Sequence, residues 1–232
     1  MKRDITVIIN YILDNLLPPF IRDSEFLSKI LFKKILGYKY KIFINFKKNI
    51  RNLTDNDLVE IYKLTKNSHL NRKTDLNSHC VKKIVQEIEG NKIIDVGCGK
   101  GYLVEVLKKQ CSPQCLIFGV DILLPEGEKN RHEYIKASIL NLPFRDKEFD
   151  TVICAHTLEH IIDIKKAISE LRRICKKKLI IVLPCQREYK YTFDLHIHFF
   201  PYDYKILNLF RPKNNSFTLE KIAGDWLYIE NY

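Results

Sequence analysis

The chain reads as an α/β protein: an open, mostly parallel sheet with an antiparallel C-terminal hairpin strand and an N-terminal helical extension. Three observations predict this. Lys92-Ile-Ile-Asp-Val96 runs into Gly97-Cys-Gly-Lys-Gly101, and Tyr102, Leu103, Val106 and Leu107 follow at helical spacing. That is a buried strand, a glycine turn and a helix start, the arrangement that receives a nucleotide-sized ligand. Beyond it short apolar runs alternate with helical patterns, as βαβ units require. The last two runs are separated only by Ala223-Gly224-Asp225, a hairpin, so at least one of them is antiparallel.

From the start of the chain, Ile5, Ile8, Ile9, Ile12, Leu13, Leu16 and Leu17 predict an amphipathic helix that Pro18-Pro19 stops. Asp23 is the expected N-cap of a second helix, with Phe26, Leu27, Ile30, Leu31 and Ile35 as its stripe and Gly37 as its stop. Residues 38–46 alternate loosely and read as extended. Thr54-x-x-Asp57 is a capping-box start for a helix through Leu64. Thr74 or Asp75 is the expected cap of a helix carrying Cys80, Ile84, Val85 and Ile88, ended by Gly90. Further strands are expected at Leu116–Val120, Tyr134–Ala137, Thr151–Cys154, Leu179–Leu183, Phe217–Ile222 and Trp226–Ile229. A helix capped by Asp163 carries Ile164, Ala167, Ile168, Leu171, Ile174 and Cys175.

With 232 residues, 46% hydrophobic and 29% charged, the chain is long enough for one α/β domain and an extension. The expected organisation is a basic helical extension or lid over residues 1–70 and a ligand-binding domain over 71–232. Net charge is +11, and residues 1–51 hold eleven Lys/Arg against four Asp/Glu. Such a bias suits anionic partners or a solvated lysine-rich face, and peripheral contact of residues 1–51 with an anionic membrane is one expectation. Neither a signal peptide nor an uninterrupted apolar stretch of about 20 residues is visible, so the chain is expected in the cytoplasm or at the inner face of the membrane. Seven scattered cysteines suit reduced thiols. Neither Cys111-x-x-x-Cys115 nor His196-x-His198 has a second ligand pair, and no metal is expected.

In such sheets ligands bind beyond the carboxyl ends of the strands, where strand order reverses. The residues there are Asp95-Val-Gly97-Cys-Gly99-Lys-Gly101, then Asp121, then Ala137-Ser-Ile139, then Ala155-His-Thr-Leu-Glu-His160. A nicotinamide fingerprint, G-x-G-x-x-G, would need glycine at 102, where Tyr102 stands; this argues against an oxidoreductase. G-x-G-x-G after Asp95 instead resembles motif I of class I S-adenosylmethionine (SAM)-dependent methyltransferases, whose sheet is Rossmann-like. Gly119-Val-Asp121, Leu142-Pro-Phe144, Glu148-Phe-Asp150, Leu158-Glu-His160 and Leu183-Pro184 follow in order. Together they resemble the type 11 methyltransferase family, similar to quinone-biosynthesis methyltransferases, over about residues 75–232.

The resemblance implies SAM as cofactor. It implies that Gly97, Cys98 and Gly99 line the methionine part, that Asp95 holds the glycine loop, and that Asp121 takes the ribose. Ile122 would lie on the adenine, Ser138 and Ile139 at its edge, and Ala155 and His156 beneath the sulfonium. Arg72 would meet the SAM carboxylate. A base is needed only if the acceptor must lose a proton, and His156, His160 and His198 are the candidates, with His196 beside them. Residues 154–156 read Cys-Ala-His, not the Asn/Asp-Pro-Pro-aromatic of nucleic-acid amine methylation. The expected acceptor is therefore a small molecule or a lipid- or sugar-linked group, with no specific nucleic acid. The competing reading is a non-enzymatic RNA- or membrane-surface-binding protein on a vestigial fold.

Overall fold

The computed structural model describes residues 11–12, 16–65, 73–124, 133–191, 194–212 and 216–232. Of the expected helix over 5–17 only residues 11, 12, 16 and 17 are described, and 11 and 12 are helical. The chain divides into two units, residues 1–72 with 186–199, and residues 73–185 with 200–232.

The first unit is helical. Its described elements are α1 (Pro19–Arg22), α2 (Glu25–Leu36), α3 (Tyr40–Asn49) and α4 (Asp55–Thr65). Ser24, not Asp23, caps α2, because its Oγ accepts from Leu27 N. Gly37, at φ 58°, ends the helix as expected. Residues 38–46 read as extended, but the stretch from Tyr40 onward is helical, in α3. Phe43, Ile44 and Phe46 bury on one side, a helical grouping that the tyrosine and isoleucine alternation of 38–44 hides. At α4 the capping box is complete: Asp57 Oδ2 accepts from Thr54 N at 2.8 Å, and Thr54 Oγ1 accepts from Asp57 N at 3.2 Å.

Phe32, Leu36, Phe43, Ile44, Phe46, Leu58, Tyr191 and Leu195 form this unit's core. Glu25 ties it together, pairing with Lys29 at 2.7 Å and Lys48 at 3.0 Å and accepting from Tyr191 Oη at 3.1 Å. These donors hold its carboxyl down at about 2. Lys47 donates to Tyr189 O and lies 4.1 Å from the Phe199 ring centroid. Burial pushes its ammonium down to about 8.

In the second unit seven strands are ordered β3-β2-β1-β4-β5-β7-β6. They are β1 (Lys92–Val96), β2 (Leu116–Asp121), β3 (Tyr134–Lys136), β4 (Phe149–Ala155), β5 (Cys175–Pro184), β6 (Phe217–Ile222) and β7 (Asp225–Asn231). The first five are parallel, and β7 is antiparallel to both β5 and β6. The two-residue turn Ala223-Gly224 has φ of 47° and 90°, as a tight hairpin matching strand twist requires.

Helices α5 (Ser78–Glu87) and α6 (Tyr102–Gln110) cover one face, and α7 (Ile164–Ile174) and α8 (Asp203–Phe210) the other. Successive residues of a central strand point to opposite faces. Leu179, Ile181 and Leu183 accordingly bury with Ile168 and Leu171 of α7, while Ile180 and Val182 bury with Ile84 and Leu107.

Asn77 caps α5, its Oδ1 accepting from Cys80 N at 2.7 Å; Thr74 instead closes a local turn onto Leu76 N. Cys175, assigned to the α7 stripe, begins β5. The helix α8 has no counterpart among the elements expected from sequence. Asp150 fastens β4 to the entry of β1 by accepting from Asn91 N and Lys92 N. Its neighbour Glu148 pairs with Lys92 at 2.9 Å. Arg173 and Glu170 shape the turn after β3: Arg173 donates to the carbonyls of Leu142 and Phe144, and Glu170 accepts from Leu142 N.

Candidate active site

Strand order reverses at β1, between β2 and β4, so the carboxyl ends of these strands border the crevice where such sheets take ligands. The loop after β1 is held from beneath. Gly97 N and Cys98 N both donate to Val120 O, at 2.7 and 3.1 Å, and Gly101 N donates to Cys98 O at 2.8 Å. Gly97 and Gly99 have φ of 80° and 53°, a region L residues rarely adopt. The two glycines differ in what surrounds them. A Cβ on Gly97 would overlap the side chain of Thr157, whereas a Cβ on Gly99 would meet nothing within 4 Å. The loop is closed on the Gly97 side and open at Gly99.

Asp121 at the end of β2 fixes that open end. Its Oδ2 accepts from Gly99 N at 2.9 Å and its Oδ1 from Leu123 N at 2.8 Å. Asp95 lies behind the loop, only 3% exposed. Burial first, and the charge of Asp121 second, raise its carboxyl to about 7. The Cys98 side chain is buried against Gly119, and burial raises its thiol too, so this residue presents backbone rather than thiolate. Ile122 is half-buried beyond β2. After β3, Ser138 Oγ accepts from Leu140 N at 3.2 Å, and Ile139 is part of the main core.

After β4 the chain makes a strained exit. His156 has φ of 49°, and its N donates to Val182 O at 3.0 Å. Thr157 Oγ1 donates to Ala155 O at 3.1 Å. The His156 imidazole stands between two carboxylates, with Nδ1 3.4 Å from Glu159 Oε1 and Nε2 3.4 Å from Asp225 Oδ2. These are ion-pair separations; Nε2 has no aligned hydrogen bond. Burial alone would lower the imidazole, but Asp225 and Glu159 outweigh it and raise it to about 10. Asp225 is in turn held by Asn77 Nδ2 at 2.7 Å. His156 thus links the exit of β4 to the entry of β7 through Glu159 and Asp225.

Asp95, Gly97, Cys98, Gly99, Asp121, Ile122, Ser138, Ile139, Ala155, His156 and His160 all lie in loops or strand ends on the carboxyl side of the sheet. His160 closes a 3-10 turn, Leu158–His160. His196 and His198 belong to the helical unit, where His196 Nδ1 lies 2.7 Å from Gln186 Oε1. Arg72 is outside the described residues. Sequence reasoning missed Asn77, Thr157, Glu159 and Asp225 as neighbours of the site. Glu159 is adjacent to a quoted motif and wholly buried, so an acidic residue in an apolar exit was its one signal. Asp225 had none.

A mostly parallel seven-stranded sheet, a glycine loop after the first strand and an acidic residue ending the second define a Rossmann-like class I methyltransferase fold. The family model described as Methyltransferase domain, of the type 11 methyltransferases, matches residues 94–183. SAM is the cofactor which that match implies. An uncharacterized protein of Methanocaldococcus jannaschii is 33% identical over 108 residues, 44% of this chain and 46% of that protein. A 2-phytyl-1,4-naphtoquinone methyltransferase of Nostoc punctiforme is 31% identical over 98 residues, 38% of this chain and 43% of the relative. These matches span less than half the length of both curated relatives. A crystal structure of a SAM-dependent methyltransferase from Aquifex aeolicus shares the fold, with a TM-score of 0.52 and 17% identity over 75% of this chain and 98% of that one.

Proposed function

We propose that the protein transfers the methyl group of SAM to a small-molecule, lipid or sugar-linked acceptor, at oxygen or carbon. The observation that carries this reading is the Asp121–Gly99 contact, which orders an open glycine loop beside an acidic strand end at the reversal of the sheet. A carboxylate oxygen accepts more than one hydrogen bond, so Asp121 can hold the loop and receive the ribose hydroxyls together. The backbone of Gly97 to Gly99 lines the methionine part, Ile122 packs on the adenine, and Ser138 borders its edge with Ile139 behind. Asp95, buried behind the loop, backs the glycine turn. Ala155 floors the reacting centre.

SAM supplies an electrophilic methyl on a sulfonium, and its transfer is an in-line displacement for which positioning provides most of the catalysis. His156 is poorly suited to be a base, because its two carboxylates keep it protonated at neutral pH. Its part is to hold Ala155 and the β4 exit in place. Within the sheet unit His160 remains the candidate for a base. The relative named for a naphtoquinone favours a small, aromatic or isoprenoid-bearing acceptor over a nucleic acid.

Titration with SAM tests the reading. Saturable binding in the wild type, reduced at least about tenfold in Asp121→Ala and in Gly99→Arg, supports it. A folded wild-type protein with no affinity for SAM overturns it in favour of a vestigial fold.

A further inference from the structure

We propose that the outward face of α2 is a docking surface for an anionic phospholipid bilayer, an interaction that does not depend on methyl transfer. The helix is apolar on two sides. Ser28, Phe32 and Leu36 recur every fourth residue and face the core of the helical unit. On the other side Phe26, Leu27, Ile30, Leu31 and Ile35 are between 45% and 72% exposed. Isolated exposed leucines are ordinary on a protein surface, but a contiguous apolar helix face in water marks an interaction site. Aromatic rings flank it at both ends, Phe20 at 78% and Tyr38 at 85% exposure.

The charge around this face selects the occupant. Residues 16–53 hold nine Lys/Arg against two Asp/Glu. Of the two acids, Glu25 is already engaged by Lys29 and Lys48, and Asp23 by Arg22 at 3.3 Å. Lys33 and Lys34 stand exposed within the apolar face itself. A second copy of the chain would bring like-charged clusters together, which opposes self-association. An anionic bilayer meets both features: acyl chains accept the large apolar side chains, while lysines extend along them to lipid phosphates.

The test is flotation of the full chain with vesicles of phosphatidylcholine alone and with about one-third phosphatidylglycerol. The expected result is at least about tenfold stronger binding to the anionic vesicles at low salt, weakened at about 0.5 M salt, where screening acts within roughly 4 Å. Ile30→Asn/Leu31→Gln should remove most of that binding, and Lys33→Gln/Lys34→Gln should remove the preference for anionic lipid. Phe26→Ser, at a more exposed position, serves if the double apolar variant fails to fold. Absence of vesicle binding by the wild type overturns the proposal, as does vesicle binding unchanged in the folded apolar variants. A dimer that Ile30→Asn/Leu31→Gln converts to monomer overturns it in favour of a second copy. SAM titration of the same samples reports on the cofactor site separately.

Discussion

Gly97 and Gly99 are two residues apart with similar backbone angles, yet they meet different constraints. At Gly97 an alanine adds backbone strain and a collision with Thr157, and overpacking of that kind costs about 1–3 kcal/mol beyond the strain. At Gly99 only the strain applies, about 1–2 kcal/mol. Gly97→Ala should therefore lower stability clearly more than Gly99→Ala in urea unfolding. The buried titrating groups give a second residue-scale expectation. His156 has a folded pKa raised to about 10, so its contribution is complete below its ordinary value near 6.5 and is lost as pH rises through 10. His156→Gln should cost roughly 2–3 kcal/mol at pH 7 and much less above pH 10. Asp95 titrates in the same direction, but its neutral variant has the opposite effect. Its raised carboxyl favours the folded state at low pH, and that advantage disappears between the ordinary carboxylate range and pH 7. Asp95→Asn should match the wild type near pH 4 and be more stable by about 1–3 kcal/mol at pH 8, while binding SAM more weakly.

At the scale of elements, the turn after β3 depends on one side chain of α7. Arg173 donates to two turn carbonyls and pairs with Glu170 at 2.9 Å and Asp146 at 3.0 Å. Arg173→Met leaves those acceptors and Glu170 without their donor, and should cost about 2–3 kcal/mol with faster amide exchange over 141–148. This is also where the limits of sequence reading show. Leu142-Pro-Phe144 and Glu148-Phe-Asp150 were legible as motifs, but the long-range donors that give them their shape were not. Strands β1, β4 and β5 were legible because apolar runs buried on both faces leave a dense signal. The helix over 40–49 was not, since the even-numbered alternation Tyr38, Tyr40, Ile42, Ile44 and Phe46 masks the helical face on which Phe43 is buried with Ile44 and Phe46. Caps moved from Asp23 to Ser24 and from Thr74 or Asp75 to Asn77 because several capping residue types stood side by side. In the site, residues next to glycines and strand ends could be read; Asp225, brought to His156 by antiparallel pairing 69 positions later in the chain, could not.

For the whole molecule, a ligand that binds only the folded sheet unit stabilises it by mass action. SAM at one hundred times its dissociation constant should contribute about 2.7 kcal/mol. For a unit of this size that is a rise in melting temperature of roughly 5–10 °C, readable by calorimetry. Asp121→Ala, binding about tenfold more weakly, should cut the rise to roughly half or less at the same SAM concentration. The seven free cysteines, four of them buried, imply that reductant leaves this transition unchanged.

The position of β7 has a consequence for how the protein is made. It is synthesised last of the seven strands but lies between β5 and β6, and it brings Asp225 to His156. On the ribosome β5 emerges with one flank open and waits some forty residues for the strand that covers it. Until Asn231 has left the exit tunnel the β4 exit has no second carboxylate, and a chain stalled before Asp225 should bind SAM poorly however well its glycine loop has formed. The strand that is made last of the seven thus lies in the interior of the sheet and carries the carboxylate that faces His156.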